Sequence, residues 1–506
     1  MNTSKAPTAR NKSSHAQTAR TGKNKRSNKS NAKKPGPASE AASSPTQGLT
    51  ARDLAVDLIV AVLLDQRSFD EALAGFLKKP RYQNLEARDR GLARSIAANA
   101  LRYAGPLEEV LSNFIDNPLP AKHARVFAIL LATATQLLIL KVPPHAAINL
   151  AVDQTRKNKK STHLAKFTNA VLRRVSERGA ALFEELDRTR KCIPDWLWES
   201  WVAAYGEERT RAIAEACLIE APLDISLKDA DESTRWAEAL NAQELATGSL
   251  RYYQGGRVEE LPGFAEGTWW VQDAAAALPA GLLGDVSGKK VADICAAPGG
   301  KTAQLAAAGA HVTAVDVSAG RLRRVEENLK RLKLSADLVE ADATHWQPGE
   351  PFDAILLDAP CSATGTIRRH PDILHLKHEA HVAALADVQM QILQNTAKML
   401  GPGGRLVYCT CSLQPAEGER QIEKFLSETP NFERVPIKAG EAGIAKDWLT
   451  PEGDLRTLPC HAPEQIRAAQ GTQSSQNEPE QPNLQKTSAP KTGMDGFFAA
   501  RLIRRS

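Results

Sequence analysis

From Ala51 to about Arg178 apolar residues recur every three or four positions, as in Leu54, Leu58 and Val62 and again in Phe127, Leu130, Leu131, Ala134 and Leu138. That spacing lines one face of successive helices, and Pro118, Pro120, Pro143 and Pro144 fall where helices should end. A small all-helical domain is predicted. Between about Cys192 and Gly284 the pattern is mixed: a helical start at Pro194–Ala216, a strand at Leu223–Leu227, and short β-like pieces around Leu250–Tyr253 and Trp269–Gln272. From Lys289 onward short apolar runs alternate with amphipathic ones. Strands are predicted at Val291–Cys295, Val312–Val317, Asp337–Glu340, Ala354–Leu357 and Arg405–Cys411, and helices at Thr302–Ala308, Arg321–Leu334, His381–Leu400 and Glu417–Leu426. This alternation specifies a parallel, doubly wound, Rossmann-like α/β sheet with its ligand site at the strand carboxyl ends. The apolar stretch Asp495–Ile503 is expected to rejoin that sheet.

Length agrees with this division, because 506 residues exceed what one core holds. The expected plan is a basic tail at 1–49, a helical domain at 50–180, an intermediate α/β module at 190–284, and a catalytic α/β domain at 285–506 with an insertion at about 464–492. Charge is unevenly spread. The formal net charge is +6, yet residues 1–49 carry seven Lys and three Arg against the single acid Glu40. That tail and the Gln/Ser/Pro-rich insertion read as disordered, the tail either as a solubilising segment or as an arm that tethers RNA. No apolar run is long enough to span a membrane and no signal-peptide core opens the chain, so a cytoplasmic protein is expected. Seven irregularly spaced cysteines argue against a disulfide framework. No metal is expected either, since Cys409 and Cys411 have no second ligand pair at suitable spacing.

The first predicted strand of the α/β region runs into Cys295, Ala296, Ala297, Pro298, Gly299, Gly300 and Lys301, a loop whose glycines let backbone approach a ligand ahead of a helix. It fits neither the Walker A spacing nor G-x-G-x-x-G. Asp316, about 20 residues on at the end of the second strand, is placed to accept ribose hydroxyls. Asp342 and Asp358 end the third and fourth strands, so three acids and a Gly loop converge on one sheet edge and favour an adenosine-like cofactor. Two strand ends bring thiols to that edge, in Asp358-Ala359-Pro360-Cys361-Ser362 and in Tyr408-Cys409-Thr410-Cys411-Ser412. Thiolate addition to carbon 6 of cytosine makes carbon 5 nucleophilic towards a methylsulfonium, and a nearby acid such as Asp358 can stabilise the base protonated at N3. Cys409 and Cys411 stand two apart on one strand, and the residues alone do not choose between them.

The segments CAAPGGKT, VDVSAGRL, LLDAPCSATGTIRRHPDI, LVYCTCSLQPAEGE and DGFFAARL resemble the RNA 5-methylcytosine methyltransferases of the Sun/RsmB branch. The stretches ARDLAVDLIVAVLLDQRSFDEAL, VPPHAAINLAVDQTRK and KFTNAVLRRV resemble a NusB-like RNA-binding domain. The resemblance implies S-adenosylmethionine as cofactor and RNA as substrate, with ribosomal RNA favoured over transfer RNA. It selects Cys411 as the nucleophile, gives Cys361 a part in product release, and leaves Cys409 as packing. It carries the cofactor contacts onto Cys295 to Lys301, Asp316, Asp342 and Asp358, puts Lys301 and Asp358 also at the reacting centre, and makes Arg321 a weaker candidate. Arg368 and Arg369, after the Pro-Cys loop, suit phosphate contact. A DNA cytosine methyltransferase would not explain Thr410-Cys411-Ser412, and a non-catalytic RNA-binding relative would have lost Cys411, Asp358 or the Gly loop.

Overall fold

The computed structural model describes residues 45–463 and 493–505. The expected insertion, and the expected tail up to residue 44, lie outside the described residues. The chain enters its first helix at Pro45, ahead of the expected boundary, and runs to Leu63. Six further helices follow, Phe69–Leu77, Ala87–Arg102, Ala104–Ser112, Ala124–Leu138, Pro144–Lys157 and Ala165–Glu185. Pro144 opens its helix at the first turn, where no amide donor is missed. Ala124–Leu138 is buried almost all round, as a central helix must be. Its Leu130 and Leu131 join Leu54, Leu58, Val171 and Leu172 in one core.

The helix predicted over Pro194–Ala216 is two, Asp195–Tyr205 and Glu207–Cys217. Gly206, at φ +79°, makes the break, a conformation that a side chain would strain. Leu197, Trp201 and Ile213 of this pair pack on Ile367, Leu374, Leu413 and Leu458. Next comes a small antiparallel sheet in the order β2-β3-β1-β4, from β1 (Leu223–Leu227), β2 (Gln243–Glu244), β3 (Leu250–Tyr252) and β4 (Trp269–Val271). Trp269 lies in its core with Ile225, Trp236 and Leu250.

Among the described residues the large sheet has eight strands. Its parallel part is β5 (Lys290–Ile294), β6 (His311–Asp316), β7 (Asp337–Glu340), β8 (Phe352–Asp358) and β9 (Leu400–Thr410). Three antiparallel strands extend it: β10 (Phe432–Arg434), β11 (Leu455–Thr457) and β12 (Phe497–Arg504). The order is β10-β12-β9-β8-β5-β6-β7, with β11 also on β12. The apolar stretch expected to rejoin the sheet is β12, which pairs β9 from Phe498 opposite Thr410 to Ile503 opposite Arg405. Both faces of the sheet are covered, one around Ile355, Leu393 and Phe425, the other around Leu278, Leu356 and Phe497.

The helical domain is bolted to the segment that follows the Pro-Cys loop. The Phe69 amide donates to Asp372 Oδ2 at 2.9 Å and Arg102 donates to the Arg368 carbonyl at 2.8 Å. His375 Nε2 meets the Leu101 carbonyl at 2.8 Å. Gly365 and Gly496 touch backbone to backbone: the Gly496 amide donates to the Gly365 carbonyl at 2.8 Å, and a Cβ on Gly365 would stand 1.9 Å from the Gly496 oxygen.

Candidate active site

The parallel strands β5 to β9 all deliver their carboxyl ends to one edge, and the expected site residues stand there. β5 ends at Ile294 and the chain turns through Cys295, at φ +64°, into the Gly loop and the helix Gly300–Ala307. Gly299 has φ +100° and lies against Val325, 3.0 Å from where a Cβ would point. Asp316 closes β6, and its carboxylate is 2% exposed. It accepts the Ala297 amide at 3.2 Å and the Ser318 amide at 3.1 Å, while Arg321 lies over it at 3.3 Å and donates to the Ala297 carbonyl at 2.7 Å. Arg321 therefore ties the Gly loop to the end of β6. Asp342 lies two residues beyond β7 and caps its own turn, accepting the Thr344 amide at 2.9 Å and hydroxyl at 2.6 Å. Those bonds hold its carboxyl below the usual carboxylate range.

Asp358 ends β8 and receives Lys301 Nζ at 2.8 Å and the Cys409 thiol at 3.6 Å. Lys301 also stands over the Phe497 ring, 4.9 Å from its centre. Burial by itself would lower the Lys301 ammonium; Asp358 and then Cys409 outweigh it and push the group up, so Lys301 is a cation. Burial, followed by the charges of Asp358 and Asp316, drives the Cys295 thiol up and keeps it neutral.

The two loop thiols meet. Cys361 Sγ lies 3.5 Å from Cys411 Sγ. β9 stops at Thr410, one residue earlier than expected, and Cys411 turns out of the strand to face Cys361, whereas Cys409 is fully buried against Asp358. The hydrogen bond with Cys411, then burial, pushes the Cys361 thiol well up. Either thiol can donate in this contact.

Comparison with known proteins gives the family of the chain. The model for 16S rRNA methyltransferase RsmB/F matches residues 280–503 and the NusB family model matches 49–177. The ribosomal RNA small subunit methyltransferase B of Pseudomonas syringae pv. tomato is 36% identical, across 90% of this chain and 97% of that one. The chain belongs to the RsmB/F family. The Pseudomonas putida methyltransferase B is 35% identical, across 90% of this chain and 99% of its own length. Among solved structures, PH0851 superposes with a TM-score of 0.66 at 21% identity, covering 92% of this chain and all of that one, a likeness of fold.

One expectation fails in this RsmB/F chain. Arg368 and Arg369 are not free for phosphate. Arg368 is 2% exposed and donates to Asp495 Oδ1, Asp273 Oδ2 and the Gly493 carbonyl, each at 2.7 Å. Arg369 bonds the same two acids. Their partners lie about a hundred residues away on either side, so nothing near them in sequence marks the pairing. Burial opposes ionisation of Asp273, but Arg369 and Arg368 overcome it and hold the carboxyl far below the usual range. Two acids at the site escaped sequence reasoning. Asp293 is buried on β5, bonded by the Thr302 hydroxyl at 2.5 Å, and burial pushes it up to about 7. Glu417, expected to open a helix, instead lies in a short 3-10 turn, Pro415–Glu417, with its side chain inside. Among the described residues no cluster of His, Cys, Asp and Glu is arranged for a metal, and no helix is long and apolar enough to cross a membrane.

Proposed function

We propose that this chain transfers the methyl group of S-adenosylmethionine to carbon 5 of a cytosine in small-subunit ribosomal RNA, in the cytoplasm. In this reading residues 50–180 form an RNA-binding helical arm, 190–284 a connecting module and 285–506 the catalytic domain. The observation that carries the reading is the thiol pair, Cys361 and Cys411, 3.5 Å apart at the sheet edge that also holds Asp358 and Lys301.

The residues fit the cofactor. The negative field that drives the Cys295 thiol up, from Asp358 and Asp316 beyond burial, is the field that favours a sulfonium cation. Asp316 and Asp342 offer acceptors suited to ribose and adenine, and the Gly loop gives backbone access at a helix start. When bound, S-adenosylmethionine supplies an electrophilic methyl group. Cys411 Sγ, as the thiolate after giving up its proton, forms the bond to carbon 6, and the displaced π pair makes carbon 5 the nucleophile. Asp358, held in place by Lys301, stabilises the base protonated at N3. Cys361 serves the elimination, in which a base takes the carbon 5 proton, the freed electron pair restores the double bond to carbon 6, and Cys411 leaves as a thiolate.

The test follows the covalent cycle. Cys411→Ala should abolish turnover and form no RNA adduct, whereas Cys361→Ala should accumulate methylated RNA linked to protein through denaturation. Cys409→Ala should do neither. A denaturing gel with labelled RNA and S-adenosylmethionine reads all three; an adduct in Cys411→Ala and none in Cys361→Ala reverses the assignment. Bisulfite sequencing of RNA from a deletion strain reads the substrate, and a lost mark in transfer RNA in place of ribosomal RNA overturns that part.

A further inference from the structure

Cys361 and Cys411 come from loops 50 residues apart, and each is followed by a serine, Ser362 and Ser412. Both serines are fully buried, and both donate their hydroxyls to the same oxygen, Oε2 of Glu417. The other oxygen, Oε1, accepts the Ser362 amide at 2.9 Å and Gln389 Nε2 at 3.0 Å. Gln389 in turn donates to the Pro360 carbonyl at 2.9 Å, so the Pro-Cys loop is held on both sides of its cysteine. The Glu417 backbone is fixed as well: its carbonyl accepts Tyr408 Oη at 2.9 Å and Thr410 Oγ1 at 3.3 Å, both from the strand that delivers Cys411. Glu417 is itself fully buried.

Sequestering a carboxylate from water is costly unless its oxygens are filled with donors. All four donors here come from the two cysteine loops or from the residue that braces one of them. We infer that Glu417 is a positioning residue that sets the separation and aim of the two thiols. The inference rests on the thiol roles proposed above. The loops are also tied by the Ala359 amide on the Cys409 carbonyl and the Gly365 amide on the Cys411 carbonyl, each at 2.9 Å, and by the Leu413 amide on Thr364 Oγ1 at 3.0 Å, but Glu417 gathers the residues directly after both cysteines onto one carboxylate. A negative charge behind Cys361 also opposes its ionisation, after Cys411 and burial.

Glu417→Gln replaces one acceptor oxygen with a donor that faces donors, at unchanged size. It should lower kcat about 100-fold, the scale of an ångström misplacement at a reacting centre, with the KM for RNA and the Kd for S-adenosylmethionine within about twofold of wild type. Glu417→Asp, which keeps the charge, should recover part of the loss. A second measurement needs neither RNA nor cofactor. Diamide takes two electrons and two protons from an adjacent thiol pair to form a disulfide, so the rate of Cys361–Cys411 bridging in the full chain, followed by mass spectrometry, reads their separation. That rate should fall at least fivefold in Glu417→Gln. If Glu417→Gln does not fold, the double variant Ser362→Ala, Ser412→Ala should show the same two losses. Unchanged kcat, or an unchanged bridging rate in a folded variant, overturns the inference. Slowed bridging without any methylation by the wild-type chain would instead fault the proposed function and leave the positioning role standing.

Discussion

Two clusters of opposite charge lie on neighbouring stretches of this chain and are built differently. In the first, Asp273, Arg368 and Asp495 are 7%, 2% and 4% exposed, and their oxygens and guanidinium nitrogens are all engaged by Arg369, backbone amides, a carbonyl or one another. In the second, Asp358 meets Lys301 and the Cys409 thiol, while about a third of its side chain, 30%, faces solvent. A saturated cluster has no capacity left for a ligand and serves to fix three distant segments. An acid with an exposed edge and one strong cationic partner is held in place and still able to bond something new.

Arg368→Ala is expected to do the most damage. It leaves Asp273 and Asp495 with fewer countercharges, and breaking such a buried group costs about 3–5 kcal/mol. Urea unfolding should show that loss, with kcat per folded molecule changed far less; a loss under about 1 kcal/mol would mean that Arg369 alone sustains the cluster. Asp358→Asn inverts the pattern, with kcat about 10²–10³-fold lower and a melting temperature close to wild type. Equal losses of stability in the two variants would erase the distinction between the clusters.

Asp293 sharpens the comparison from behind the site. It is buried with one oxygen bonded to Thr302, and no donor among the described residues reaches the other. Its carboxyl titrates at about 7 in the folded chain, so the native state keeps a proton that the unfolded chain has released above about 4. The stability contribution is therefore full below about 4 and declines as pH rises towards 7. Between pH 5.5 and 7 the decline should reach about 2 kcal/mol, and Asp293→Asn should remove it. Parallel slopes of unfolding free energy against pH for the two proteins would show that Asp293 does not carry this proton.

What was legible in the sequence were the features with local signatures. The run Asp337–Glu340 is β7 as read, and the Gly loop, Asp316, Asp358, Cys361 and Cys411 reach one edge because each ends or closely follows a strand of the parallel part of the sheet. What escaped depends on partners distant in sequence. β10 and β11 are three residues each, too short for a period to register, and exist because β12 pairs with them. Arg368 looked suited to phosphate because Asp273 and Asp495 are remote, and Glu417 looked like a helix start because its serines belong to different loops.

β12 also bears on the order in which the chain is made. β9, the strand that delivers Cys409 and Cys411, has one long edge that, among the described residues, pairs with Phe497–Arg504. Asp495 and Gly496, just ahead of it, complete the Arg368 cluster and press on Gly365. A nascent chain that has emerged only as far as Leu455–Thr457 thus has both cysteine loops outside the ribosome and neither of these supports. These supports are absent until residues 495–504 have emerged, and a product cut short before Phe497 exposes an unpaired strand edge, a surface open to aggregation or capture by chaperones.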